Sequence, residues 1–142
     1  MPRFVDTNVL MYAVSGSADE LPKRERARAI LREPELAVST QVLQEFYVQA
    51  TRATRTDRIG HDAASRLIAA LERYPVQETT FGLVLAALET RERYGLSYWD
   101  AAIVAAAQAL GCRELLSEDL GAGQRYGDVV VVNPFVERSS GA

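Results

Sequence analysis

Arg3-Phe4-Val5-Asp6-Thr7-Asn8-Val9-Leu10 is the stretch on which the reading of the fold turns. Three β-prone residues are ended by an acid. Val9, Leu10, Tyr12 and Ala13 then suit a short helix. The same alternation continues outward. A charged helix opens at Asp19 or Glu20, runs to about Leu31 and is ended by Pro34. Leu36-Ala37-Val38 reads as a second short strand. Ser39 or Thr40 can N-cap the helix that follows, in which Val42, Leu43, Phe46, Tyr47 and Ala50 form an apolar stripe. A further helix starts at Gly60-His61-Asp62 and ends near Tyr74-Pro75, and Pro75-Val76-Gln77 reads as an edge strand. The helix from about Phe81 to Tyr94 stops at Gly95. An Ala-rich helix from Asp100 to Leu110 is closed by Gly111. Glu114-Leu115-Leu116 is a strand, and the valines 129–132 form another, expected to be buried on both faces. Short strands alternating with helices predict an α/β domain built on a parallel sheet.

The length, 142 residues, predicts one domain, assigned to residues 1–137, with a frayed tail at 138–142. Apolar residues make up 48 %, enough for a sizeable core. No apolar run of about 18 residues exists, so no membrane-spanning helix is expected. Met1-Pro2-Arg3 leads straight into a strand-like run with no long apolar stretch behind it, so no signal peptide is expected. Cys112 is the only cysteine, so no intramolecular disulfide forms and a cytoplasmic location is expected. Gly121-Ala122-Gly123 is expected to be the most flexible internal segment.

The net charge of −3 does not advertise a nucleic-acid binder. All of the 16 basic residues except Lys23 are arginines. They cluster at Lys23, Arg24, Arg26, Arg28 and Arg32, and again at Arg52, Arg55 and Arg58. Arginine grips phosphate bidentately, so either group suits a nucleic-acid backbone. A solvated helix face is the commoner meaning of such clusters.

In open parallel sheets, ligands bind at the carboxyl ends of the strands. That rule selects Asp6, at the end of the first strand, and Glu118 and Asp119, just past the strand ending at Leu116. Asp100 starts the Ala-rich helix and can face the same edge. Glu45, in the first turns of its helix, flanks the apolar stripe and can lean over it. Each has a structural alternative. Asp6 suits an Asx-turn or helix cap, and Asp100 completes a capping box from Ser97. Glu45, Glu118 and Asp119 suit ordinary surface charge. The set carries more weight than its members: gathered carboxylates destabilise one another unless a cation balances them, and hard oxygen ligands suit Mg²⁺ or Mn²⁺. No His/Cys cluster suits zinc. His61 reads as a cap or surface residue and Cys112 as packed core. Neither a nucleophile elbow nor a Gly-rich phosphate loop appears. Tyr98, Trp99 and Tyr126 are candidates for base stacking, with core packing favoured for Trp99.

Four segments together resemble the PIN-domain nucleases. They are Phe4-Val5-Asp6-Thr7-Asn8-Val9-Leu10, Gln41-Val42-Leu43-Gln44-Glu45-Phe46, Ser97-Tyr98-Trp99-Asp100-Ala101-Ala102-Ile103 and Leu115-Leu116-Ser117-Glu118-Asp119-Leu120. Gly123-Gln124 and Val132-Asn133-Pro134-Phe135 extend the similarity toward VapC-type toxins, over residues 1–136. The resemblance implies a three-layer α/β/α sandwich with a short central parallel sheet. It implies divalent-metal-dependent RNA cleavage, with Asp6, Glu45, Asp100 and Asp119 catalytic and Asp6, Asp100 and Asp119 holding Mg²⁺ or Mn²⁺. It implies an antitoxin partner and a homodimer. Asn8 becomes a supporting residue that orients carboxylates by its amide, Thr7 does likewise, and Ser117 supports the metal through its hydroxyl or a water. The last acidic segment, Ser117-Glu118-Asp119, departs from the usual Thr/Asp-x-Asp: Asp119 is the aligned acid, and Glu118, a supporting residue, is the alternative that could share or replace its role.

Other readings fit less well. A haloacid-dehalogenase-type phosphatase wants an acid where Asn8 stands. A receiver domain wants a lysine elsewhere than at Lys23. A non-catalytic PIN-like module that binds protein or RNA is the alternative from a different class.

Overall fold

A strand alternates its side chains between two faces, so consecutive buried residues require cover on both. Strand β2 (Leu36–Ser39) is buried at every position in the computed structural model, which describes residues 1–136. It lies in a six-stranded sheet with β1 (Arg3–Val5), β3 (Val76–Gln77), β4 (Glu114–Leu116), β5 (Arg125–Tyr126) and β6 (Val129–Val132). The order is β3-β2-β1-β4-β6-β5. All neighbours are parallel except β5 and β6. Phe4 sits opposite Ala37 on one side and Leu115 on the other, which centres β1. The helices are α1 (Thr7–Ala13), α2 (Leu21–Ile30), α3 (Thr40–Ala50), α4 (His61–Ala70), α5 (Phe81–Tyr94) and α6 (Tyr98–Ala109). This is a mostly parallel sheet flanked by helices, the α/β arrangement that the resemblance implies. The assigned boundary at residue 137 and the tail at 138–142 lie outside the described residues.

Helix α6 shows why the Ala-rich composition matters. Ala101 through Ala107 are all buried, because α6 packs on the sheet at β2, β4 and β6 and carries α5 on its other side. A helix buried all round has no polar face to offer. Its first turn lies outside the sandwich, with Ser97 as the N-cap accepting the Asp100 N–H at 3.2 Å. On α3 the cap is Ser39, which accepts from the Val42 N–H. Gly95 ends α5 at φ +68°, a conformation that costs a residue with a Cβ about 1 kcal/mol or more.

One expectation about the strands needs correction. The valine strand is not buried on both faces: Val129 and Val131 are buried, whereas Val130 and Val132 are half-buried. β6 lies near the edge of the sheet, and Val132 lines an open groove beside Pro22, Arg26 and Phe135. The 121–123 segment is part of a hydrogen-bonded return into the β5–β6 hairpin. The Gly123 N–H reaches the Val131 carbonyl at 2.8 Å and the Gln124 N–H the Gly121 carbonyl at 3.1 Å. β5 is too short to leave a periodic signal. Among the described residues, no helix is long and apolar enough to cross a membrane.

Candidate active site

Chain order reverses about β1: β2 and β3 lie to one side of it, β4, β6 and β5 to the other. Ligand sites form at such switch points, outside the carboxyl ends of the strands. Asp6 follows β1 and Ser117-Glu118-Asp119 follows β4, so both acidic segments leave the sheet at that crevice. The Asp6 N–H bonds the Leu116 carbonyl at 3.0 Å, which ties the two segments together. A cavity of about 300 Å³ opens there. Its walls carry Asp6, Glu20, Glu45, Asp100, Glu118 and Asp119, against one cation among the described residues, Arg55. All four acids expected from the resemblance therefore share one cavity.

Asp6 is both helix cap and site residue. Its Oδ1 accepts the Thr7 N–H at 2.7 Å, which caps α1, and its Oδ2 accepts the Ser117 hydroxyl at 2.8 Å. Burial pushes its carboxyl up to about 6. The Ser117 and Thr7 hydrogen bonds work against that rise, while the charges of Asp119 and Glu45 add to it. Ser117, fully buried, is the hub: its oxygen also accepts the N–H groups of Asp119 at 3.1 Å and Leu120 at 3.2 Å. Asn8 spans the two segments. Its amide nitrogen donates to Asp119 Oδ2 at 3.2 Å and its oxygen accepts the Glu118 N–H at 3.1 Å. Thr7 donates its hydroxyl to Glu45 Oε2 at 2.8 Å. The Asp100 carboxylate makes no hydrogen bond among the described residues, so only the Ser97 half of its capping box forms.

Glu118 is committed elsewhere. Its carboxylate takes the Lys23 ammonium at 2.7 Å and the Tyr12 hydroxyl. Burial alone would raise the Glu118 carboxyl, but the bonds from Lys23 and Tyr12 outweigh it and hold the group below its ordinary value. Asp119, exposed and bonded to Asn8, is the open acid of the pair.

Trp99 is not core. It is 65 % exposed, at the cavity rim, with its ring edge on Tyr98. Position 99 falls in the first turn of α6, before the buried run begins. Tyr126 is the buried aromatic instead, packed edge-on against Tyr94. His61 is exposed, beside Tyr47 and Ser65. Cys112 is core, and burial raises its thiol to about 11, which leaves no thiolate for nucleophilic chemistry.

The basic cluster on α2 is largely spent inside the protein. Arg24 donates to the Ser15 carbonyl, Arg28 to that of Ala13 and Arg26 to that of Pro134. Two of these satisfy carbonyls at and just past the end of α1, which has no basic residue in its last turn. Sequence reasoning gave no role to Gln41, which donates to Glu45 Oε1 at 2.9 Å and to the Trp99 carbonyl at 3.3 Å. Its i, i+4 spacing from Glu45 on α3 was the available signal. The Lys23–Glu118 pair spans 95 positions and left no local signal.

Among the described residues, no three His, Cys, Asp or Glu side chains are drawn together closely enough to hold an ion by themselves. The donor chemistry nevertheless fits a hard cation. The cavity offers carboxylate and amide oxygens with no imidazole or thiolate. Mg²⁺ is commonly held through one or two carboxylates, with water at its other positions.

The sequence pattern of the PIN domain matches residues 3–126, so the chain belongs to the PIN-domain family. No curated protein matches it closely in sequence. Among solved structures, a toxin–antitoxin complex from Klebsiella pneumoniae aligns over 93 % of this chain and 97 % of the other, at 23 % identity and a TM-score of 0.68. VapC20 of Mycobacterium tuberculosis, a Sarcin-Ricin loop cleaving toxin, aligns over 82 % and 90 %, at 25 % identity and 0.60. VapBC2 of Rickettsia felis, bound to a DNA fragment from its promoter, aligns over 92 % and 97 %, at 18 % identity and 0.61. Within the family, the resemblance is thus to VapC-type toxins.

Proposed function

We propose that this chain is a divalent-metal-dependent endoribonuclease, the toxin of a VapBC-type toxin–antitoxin pair acting in the cytoplasm as a homodimer. The observation that carries this reading is the buried Asp6 carboxylate at the switch point, sharing a cavity with Glu45, Asp100 and Asp119. The likeness to VapC20 and to toxin–antitoxin complexes supports it.

In this reading Asp6, Asp100 and Asp119 hold Mg²⁺ or Mn²⁺. A bound ion supplies Lewis-acid chemistry, neutralising phosphate charge and making water a better nucleophile. Glu45, held by Thr7 and Gln41, accepts the proton of the attacking water. The new P–O bond forms as the ester P–O bond opposite breaks, and the leaving oxygen is protonated from solvent. Ser117 and the Thr7 N–H keep the Asp6 oxygens in place before substrate arrives. Asn8 does the same for Asp119. An antitoxin would silence the enzyme by covering this cavity.

The test is cleavage of a mixed structured and single-stranded RNA pool by purified protein, with and without Mn²⁺, beside Asp6→Asn. Metal-dependent cutting that falls to background in Asp6→Asn is expected. A folded wild type that binds no metal and cuts nothing would favour the non-catalytic binding module.

A further inference from the structure

We propose that Arg55 is a substrate-binding residue that grips a phosphodiester of the RNA strand flanking the scissile bond. The inference rests on the nuclease reading for its substrate and on separate observations for the residue.

An anionic strand entering a cavity walled by six carboxylates meets repulsion on most sides, and among the described residues Arg55 is the one cation in that wall. The other basic residues noted in sequence are placed differently. The arginines 24, 26 and 28 bond backbone carbonyls, Lys23 is paired with Glu118, and Arg32, Arg52 and Arg58 are exposed but do not line the cavity.

Arg55 is also held in place. Its Nε lies 2.8 Å from Asp57 Oδ1, and its Nη2 donates to Asp57 Oδ2 at 3.4 Å. Asp57 is itself anchored to the loop after α1, because its Oδ2 accepts the Gly16 N–H at 2.8 Å. That N–H, and then the Arg55 charge, hold the Asp57 carboxyl below its ordinary value against the effect of burial. The approach is close: a Cβ at Gly16 would stand 3.1 Å from that of Asp57. The loop closes on itself through the Ile59 N–H to the Ala50 carbonyl and the Arg55 N–H to the Arg52 carbonyl. Nη1 of Arg55 has no acceptor among the described residues. A guanidinium pinned along its Nε–Nη2 edge by Asp57 keeps Nη1 and the outward hydrogen of Nη2 for an anion contact.

Position argues for a flanking phosphate. Gln49, one turn (about 6 Å) beyond Glu45 on α3, lines the same cavity, and the Arg55 loop follows it. Arg55 therefore lies on the α3 side of the cavity, past Glu45 and Gln49 and away from the strand ends that carry Asp6 and Asp119.

The experiment measures anisotropy of a fluorescein-labelled single-stranded RNA across a salt series, with Ca²⁺ in place of Mn²⁺. Cleavage kinetics and melting temperature are recorded alongside. Arg55→Ala should weaken binding about tenfold, with the loss in KM more than kcat, and flatten the log–log salt slope by about 0.7–1. Its Mn²⁺ melting shift should match that of the wild type. Arg55→Lys should recover part of the affinity. Arg66→Ala, which removes one charge from the exposed face of α4, should leave the slope unchanged. If Arg55→Ala fails to fold, Arg55→Gln decides by the same slope. Wild-type affinity and slope in the folded Arg55 variant would overturn the proposal, even if the wild type cuts RNA. A wild type that binds RNA through Arg55 but never cuts would overturn the nuclease reading and leave Arg55 its role. A wild type that neither binds nor cuts would overturn both.

Discussion

Asp6 carries its cost in its own protonation. With the folded carboxyl at about 6 and the unfolded one near 3.8, the native chain holds the extra proton between those values. Stability from this residue is therefore full below about pH 4 and lost as pH rises through 6. The deficit above pH 6, without metal, is on the order of 3 kcal/mol, from about 1.4 kcal/mol per unit. Asp6→Asn should accordingly be more stable than the wild type in urea titrations at pH 7.5 in a chelator, and the gain should vanish near pH 4. A pH-independent difference would mean that burial does not govern this carboxyl. Ser117 and Thr7 limit the deficit, since both donate to the charged form.

At the scale of elements, α6 couples the core to the site. Its interior alanines let the sheet and α5 approach, while its exposed first turn delivers Asp100 and Trp99 to the cavity. The two halves should respond differently. Ala105→Leu overfills a close-packed layer and should cost about 1–3 kcal/mol in chemical denaturation. Ser97→Ala removes the cap and should cost about 1 kcal/mol. It should also weaken the Mn²⁺ response, because the turn holding Asp100 loosens. Ala105→Leu, if it folds, should leave that response intact. Equal losses of metal response in both would place Asp100 under the control of core packing instead.

For the whole molecule, the sheet order gathers at one crevice acids that are far apart in the chain. A cation that binds only the folded state raises its stability by mass action, by about 2.7 kcal/mol at a hundredfold excess over Kd. Mn²⁺ should raise the melting temperature of the wild type, and Asp100→Asn should shrink that shift. An undiminished shift in Asp100→Asn, measured by calorimetry, would remove Asp100 from the cation site. The Gln41 bridge from Glu45 to the Trp99 carbonyl fits the same picture, since it joins α3 to the first turn of α6.

Much of this protein was legible in one dimension. Strand ends, caps and glycine stops are local events, so Asp6 after β1, Ser39 before α3, Ser97 before α6 and Gly95 after α5 could all be read from neighbours. That the four acids share a cavity was legible because the strand-end rule selects Asp6 and Asp119, and the resemblance adds Glu45 and Asp100, whose helix starts can face the same edge. Tertiary structure alone decided which charges are free. Glu118 and Asp119 are adjacent in sequence, yet one is neutralised by Lys23 and the other stays open. Arg24, Arg28 and Arg55 look alike along the chain, yet two are spent on carbonyls and one reaches the cavity. Trp99 was misjudged because hydrophobicity says how much a side chain gains from burial, not whether its turn lies inside the layers. Local order follows from backbone sterics and hydrogen bonding between near neighbours. Pairing and exposure depend on which distant segments the sheet order brings together.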